Sequence, residues 1–246
     1  MIAGASIVAL LAATGAVLYF VVFRDRATPL ESEDVGATIV TGEGRPGDFG
    51  LYLYATTGFE TTDALAGSRH DYPAQTYMTI QPGGCGTLVR WQALEERWEE
   101  WDFCADAGLA GRRTYHEWFN ISNLDVWTCS PTVATQGDPG EVATGACARA
   151  ATGNAEAAED SLRYEMVGYE TLTVDTEQVE TLHVRVTGSG SGGTVSSRTA
   201  DTWLLPGTQL VVRQRVQITS TTQSRVGTVN SYEEYELNLV SLLPSS

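Results

Sequence analysis

Three histidines, four cysteines, six tryptophans and one dense acidic run are the residues of this sequence best able to do chemistry. His70, His116 and His183 stand far apart, and none has a second histidine four residues on, the spacing that sets two imidazoles on one helix face against a metal. They read as surface or core-edge residues, and neither a metal nor a cofactor is expected. Glu95, Glu96, Glu99, Glu100 and Asp102 lie close enough in sequence to furnish a glycosidase pair, which needs two carboxylates at a set separation with different pKa values. Such runs are usually solvated faces. Gly188-Ser189-Gly190-Ser191-Gly192-Gly193 has the composition of a nucleophile elbow without a strand-to-helix context, so it reads as a flexible loop. No phosphate-cradling glycine motif follows a strand, and nucleotide binding has no support.

What remains is aromatic. Trp91, Trp98, Trp101, Trp118, Trp127 and Trp203 each offer a large apolar face and one N–H donor, suited to stacking on a sugar or lining an apolar cavity. Of these, Trp91, Trp98, Trp101, Trp118 and Trp203 are the expected ligand-binding residues. The competing reading of each is a core position.

The elements that must position them are strands. Runs rich in Thr, Val, Tyr and Trp alternate with Gly, Pro, Asp and Ser turns. Over residues 210–219, Leu210, Val212, Val216 and Ile218 share one face, opposed by Arg213, Arg215, Gln217 and Thr219. Residues 232–242 alternate likewise, 199–205 form a strand closed by Pro206 and Gly207, and 164–174 with 179–186 flank a hairpin turn at 175–178. Gly58-Phe59-Glu60-Thr61 and Gly168-Tyr169-Glu170-Thr171 are a short internal match.

The segment from Cys85 to Cys104 carries strong helix formers, but a hairpin turning at Leu94 and Glu95 pairs Cys85 with Cys104, Trp91 with Trp98 and Arg90 with Glu99. The hairpin is preferred. Four cysteines without CxxC or Cys/His spacing suit two disulfides made in an oxidising compartment. They permit three connectivities, of which the nearest-neighbour one joins Cys85 to Cys104 and Cys129 to Cys147. Each closed loop would stabilise the fold by about 3 kcal/mol in the chain-entropy model.

Residues 2–23 carry no charge, and at about 1.5 Å per residue they match a hydrocarbon core of roughly 30 Å. The run is too long for a cleaved signal peptide and lacks its basic start. With the first cysteine at Cys85 there is no lipid-modified cysteine either, so residues 1–23 are expected to be a retained anchor, 24–46 a linker that does not pack on the folded part, and 47–246 a disulfide-stapled antiparallel β domain. Arg24 and Arg26 favour a cytoplasmic placement of that end of the anchor. The cysteines favour export, and the expected topology is single-pass in the cell membrane with an extracytoplasmic C-terminal domain.

The 246 residues include 31 acidic and 15 basic ones, for a formal charge of -16, a field that repels phosphate backbones and anionic headgroups. Nucleic acid is excluded as a partner. Every basic residue is arginine, which reads as high-GC codon bias and points to an actinobacterial source.

The stretch from Tyr164 onward, above all Trp203-Leu204-Leu205-Pro206 followed by Leu210-Val211-Val212-Arg213, resembles strands of the bacterial envelope lipoprotein-carrier family and related lipid-binding lipoproteins. The resemblance covers about a third of the chain. It implies a mainly β fold, a curved, half-barrel-like antiparallel sheet around an apolar cavity that takes acyl chains or lipids. From His70-Asp71-Tyr72-Pro73 through Cys85-Gly86 to the final Ser-Leu-Leu-Pro the chain is also similar to membrane-anchored actinobacterial proteins, which implies location and not activity. The expectation is a non-enzymatic, membrane-tethered binding protein for a hydrophobic envelope ligand, a lipid or lipoprotein acyl chain. The alternative is a surface module for another envelope protein or carbohydrate, with an enzyme third.

Overall fold

The computed structural model describes residues 25–36, 43–65, 67–106, 108–151, 156–224 and 227–245. The expected membrane anchor lies outside them. Among the described residues no helix is long and apolar enough to cross a membrane.

One-turn helix α1 (Ser32–Gly36) precedes thirteen strands: β1 (Gly50–Thr62), β2 (Ser68–Asp71), β3 (Gln75–Pro82), β4 (Gly86–Leu94), β5 (Arg97–Cys104), β6 (Gly108–Trp118), β7 (Ile121–Ala134), β8 (Val142–Arg149), β9 (Ala158–Val174), β10 (Glu177–Gly192), β11 (Thr194–Leu204), β12 (Val211–Ser224) and β13 (Gly227–Leu239). Each pairs antiparallel with its neighbour in a single sheet. The expected open half-barrel is closed instead, because β1 also pairs with β13 from Tyr54↔Leu239 to Thr62↔Ser231.

Two local features make the closure. The far edge of β1 is shared, its first half paired with β3 and its second with β2, so the thirteen strands make twelve wall positions. At the seam Gly58 has a φ of 147°, and a Cβ there would collide with the backbone of Glu234 and Tyr235. Glycine lets β1 approach β13, and the closed wall leaves no long sheet edge exposed.

Alternation then sorts side chains. In β1, Tyr52, Tyr54, Thr56 and Glu60 are buried while Ala55 and Thr57 are exposed. In β13, Tyr235, Leu237 and Leu239 turn inward as their period-two spacing requires. The β9–β10 hairpin turns at Asp175 and Thr176, with Asp175 at φ 52°.

Both disulfides form, Cys85–Cys104 beside the β4–β5 hairpin and Cys129–Cys147 across β7 and β8. The second sits where the ladder is thinnest, since β7 and β8 pair at Thr128↔Ala148 and Cys129↔Cys147. Pro131 follows in β7 and has no N–H to continue that ladder.

Three expectations shift. The β4–β5 hairpin exists, but its register is one residue off: the turn is Glu95–Glu96, so Trp91 faces Glu99, Arg90 faces Glu100 and Gln92 faces Trp98, with a bulge before Leu94. A one-residue slip exchanges faces; Trp91 goes inside and Trp98 outside. The glycine-rich stretch 188–192 is not a loop but the end of β10, paired with Leu162 to Ala158 of β9. Glycine there relieves crowding: a Cβ at Gly190 would strike the Ser196 hydroxyl. Finally, the expected free linker begins bonded to the barrel. Asp25 accepts from the Phe119 amide (2.9 Å), and Thr28 donates to Glu96 through its amide (2.8 Å) and hydroxyl (2.6 Å).

The core divides in two. The larger cluster runs from Tyr52 and Trp91 to Val184 and Leu237, and a smaller one surrounds Trp127, Cys129, Cys147 and Leu162. Trp101, Phe103 and Tyr164 touch both. A barrel of this strand number is too wide to be filled evenly from its walls.

Candidate functional site

A ladder of charge runs down the lumen from the rim at which residues 25–28 dock. Alternation in β1 places Glu60 inward; the β1–β2 register sets His70 opposite it, and β6 brings His116 from the far side of β5. The ring nitrogens of His70 lie 3.0 Å from Glu60 Oε1 and 2.9 Å from Asp25 Oδ2, and His116 Nδ1 lies 2.8 Å from Glu60 Oε2. Trp118 stacks on His70 with ring centroids 3.9 Å apart.

Arg97, fully buried at the start of β5, donates to Glu233 through Nε (3.1 Å) and Nη2 (3.0 Å) and lies 3.4 Å from Glu99. Tyr72 donates its hydroxyl to Glu233 at 2.6 Å. Lower in the lumen Glu99 accepts from Arg198 (2.6 Å), and Arg112 donates to Asp160 (3.0 Å).

Burial alone would raise these carboxyl groups, but their partners outweigh it. Glu60 is held down at about 2 by His116, His70 and Arg97, and Glu99 at about 2 by Arg198, Arg97 and Arg112. Burial likewise lowers His70, yet hydrogen bonding and charge from Glu60, then Asp25, raise it above the ordinary imidazole value.

Glu60, His116 and Glu233 bring ligand atoms within 4.8 Å of one another, a grouping that three histidines scattered in sequence do not announce. Arg97 lies 3.8 Å from Glu60 and 2.9 Å from Glu233 and supplies the positive charge there. The acidic run is split by the pleat. Glu99 enters the lumen, Glu100 binds Arg113 at 2.6 Å, and Glu96 holds Thr28. The run therefore does not converge into one carboxylate pair.

Toward the opposite rim the lumen opens into a pocket of about 80 Å³ between the two core clusters. Val89, Trp101, Phe103, Leu109, Leu162 and Val184 supply its apolar wall, and Thr135 and Gln209 reach it from connections at that rim. The size is well below the roughly 300–1,000 Å³ of sites that enclose drug-sized ligands. A whole lipid exceeds this volume.

Of the five tryptophans expected at the site, Trp101 lines this pocket. Trp91 is wholly buried and donates to Thr76 Oγ1 at 3.0 Å. Trp98 is on the outer wall, stacked on Tyr115 (5.5 Å) and covered by Arg90 (4.1 Å). Trp118 caps His70 at the docking rim. Trp203 stacks on His183 at 4.4 Å and donates to Glu170 at 2.9 Å. The five do not form one surface.

A scan against protein-family models and a search of curated proteins each find no match. Among solved structures, a hypothetical lipoprotein, YmcC, from Escherichia coli (K12) is similar over 82% of this chain and 92% of that one, at 9% identity and a TM-score of 0.35.

Proposed function

We propose that the chain is a membrane-tethered, extracytoplasmic barrel that binds the apolar chain of an envelope ligand, a lipid or lipoprotein acyl chain, without catalysing a reaction on it. The observation that carries this reading is the apolar pocket between two core clusters inside a closed barrel. Support for the location comes from the uncharged run of residues 2–23 and from two disulfides, which belong to an oxidising compartment.

The alternative, a surface interaction module, draws on the outer face of β7, where Leu124 and Val126 are 49% and 47% exposed. Carbohydrate is the weaker version of it. Trp98 is covered by Tyr115 and Arg90, and Trp203 is buried against His183, so neither offers a free ring face.

The test is native mass spectrometry of the full-length chain purified from host membranes, followed by extraction of whatever it carries. A stoichiometric adduct that extracts as an alkyl-chain compound is the expected result. A bare mass, with no uptake of added single-chain compounds, contradicts the proposal.

A further inference from the structure

The pocket is apolar along its walls but not at its inner end. Among the described residues, the charged side chains lining it are Arg112 and Arg198, both cations, in a chain of formal charge -16. Their carboxylate partners, Asp160 and Glu99, stand behind them and outside the lining.

A guanidinium has five N–H donors in a fixed fork, and one carboxylate does not exhaust them. Arg112 Nε is buried without a hydrogen-bond partner and lies 4.0 Å from Glu99 Oε1. Tyr164 adds a hydroxyl beside both arginines, and burial pushes that hydroxyl up to about 12, so it stays a donor at neutral pH. A buried donor left unpaired among apolar groups costs about 1–3 kcal/mol.

Resting on the pocket reading above, we propose that the ligand is an anionic amphiphile, one alkyl chain ended by a carboxylate or phosphate that lies against Arg112, Arg198 and Tyr164. The unspent donors point to an acceptor-only head, because an oxyanion takes several N–H and O–H bonds and offers no competing hydrogen. A neutral alcohol satisfies fewer of them, and a quaternary ammonium meets two guanidinium groups. The volume of about 80 Å³ holds the head and the first carbons, with the rest of the chain along the apolar wall toward the rim.

The test uses the full-length chain in phosphatidylcholine nanodiscs, titrated calorimetrically with decanoate, decyl phosphate, decanol and decyltrimethylammonium after subtraction of empty discs. Decanoate, decyl phosphate or both are expected to bind saturably at least about tenfold tighter than decanol, with no saturable binding of the ammonium. Which anion binds tighter identifies the head.

Arg112→Gln combined with Asp160→Asn removes a buried pair together and leaves no orphan charge. It is expected to weaken the anions about tenfold, toward decanol's affinity, without changing decanol's. Tyr164→Phe, which disturbs no ion pair, is expected to reduce the anion preference in part and serves where the double variant does not fold. Equal affinity of decanol and the anions for the unaltered chain, or tighter binding of the ammonium, overturns the anionic head and leaves the pocket standing. Absence of saturable binding by all four compounds overturns the pocket reading as well.

Discussion

The barrel builds one side-chain arrangement twice, once in the lumen and once on the outer wall. Glu60, His70, Asp25 and Trp118 form the inner copy; Glu170, His183, Asp201 and Trp203 form the outer one. In each, histidine Nδ1 faces the glutamate (3.0 and 2.8 Å), Nε2 faces the aspartate (2.9 and 2.8 Å), and an indole stacks on the imidazole at 13°. The environments differ. Glu60 is 3% exposed and Glu170 is 47% exposed. The same contacts are therefore part of a buried electrostatic network in one place and a surface staple in the other, and only the inner copy ties residue 25 to the barrel.

Breaking the two glutamates measures that difference. Glu60→Ala leaves His70 Nδ1 and His116 Nδ1 without their carboxylate and removes a negative charge 3.8 Å from Arg97, and is expected to cost about 3–5 kcal/mol in urea denaturation, the range for removing one partner of a buried pair. Glu170→Ala on the solvated wall is expected to cost no more than about 1 kcal/mol. Equal losses would dissolve the distinction.

Acid sharpens it. Glu60 and Glu99 are held at about 2 in the fold instead of the ordinary 4.5, so their stabilisation is complete above pH 4.5 and is lost as pH falls toward 2. Each contributes on the order of 3 kcal/mol. His70 runs the other way: its raised value means a contribution present below pH 6.5 and lost as pH climbs through the folded value. Urea midpoints against pH should give a maximum between about 4.5 and 6.5, and Glu60→Gln should shrink the acid limb. A flat profile below pH 4.5 would contradict the assignment.

Asp25→Ala removes the inner copy's tie to the chain upstream. Hydrogen exchange at the Phe119 amide is expected to accelerate by the loss of a charge-assisted bond, about 1.5–3 kcal/mol. Unchanged protection would mean that residues 25–28 are not held by that contact. The smallest effect belongs to the outer copy: Trp203→Phe keeps a ring on His183 but loses the Nε1–Glu170 bond, for about 0.5 kcal/mol in the same denaturation assay.

Much of the wall was legible in the sequence, because alternation is local. Val216 and Tyr235 to Leu239 declared their faces, whereas a bulge opposite Trp203 and Leu204 turns Val211 into the pocket beside Leu210 and Val212; of the three connectivities that four cysteines permit, the nearest-neighbour one forms. Closure was not legible, since it depends on β1 meeting β13 some 180 residues away at a glycine whose role appears only in contact with Tyr235. The β4–β5 register slipped by one because a bulge before Leu94 moved the turn.

The four-residue match Gly58 to Thr61 and Gly168 to Thr171 was visible, but its chemistry was not. The histidines follow the glutamates by ten and by thirteen residues, on different strand geometry, so no fixed spacing marks them. The lumenal charges were hidden for a related reason: Glu99 looks like one more member of a solvated acidic run until the pleat separates it from Glu100.

The central claim, that the lumen holds an alkyl chain, turns on Trp101, the one of six tryptophans that lines the pocket. The decisive measurement is quenching of tryptophan emission by 2-bromodecanoate, whose bromine lies beside the head, in the full-length chain and in Trp101→Phe. The account predicts saturable quenching that is lost in the variant while its fold, read by circular dichroism, is kept. Quenching that persists without Trp101, or none at saturating bromodecanoate, would place the chain outside the pocket and contradict the account.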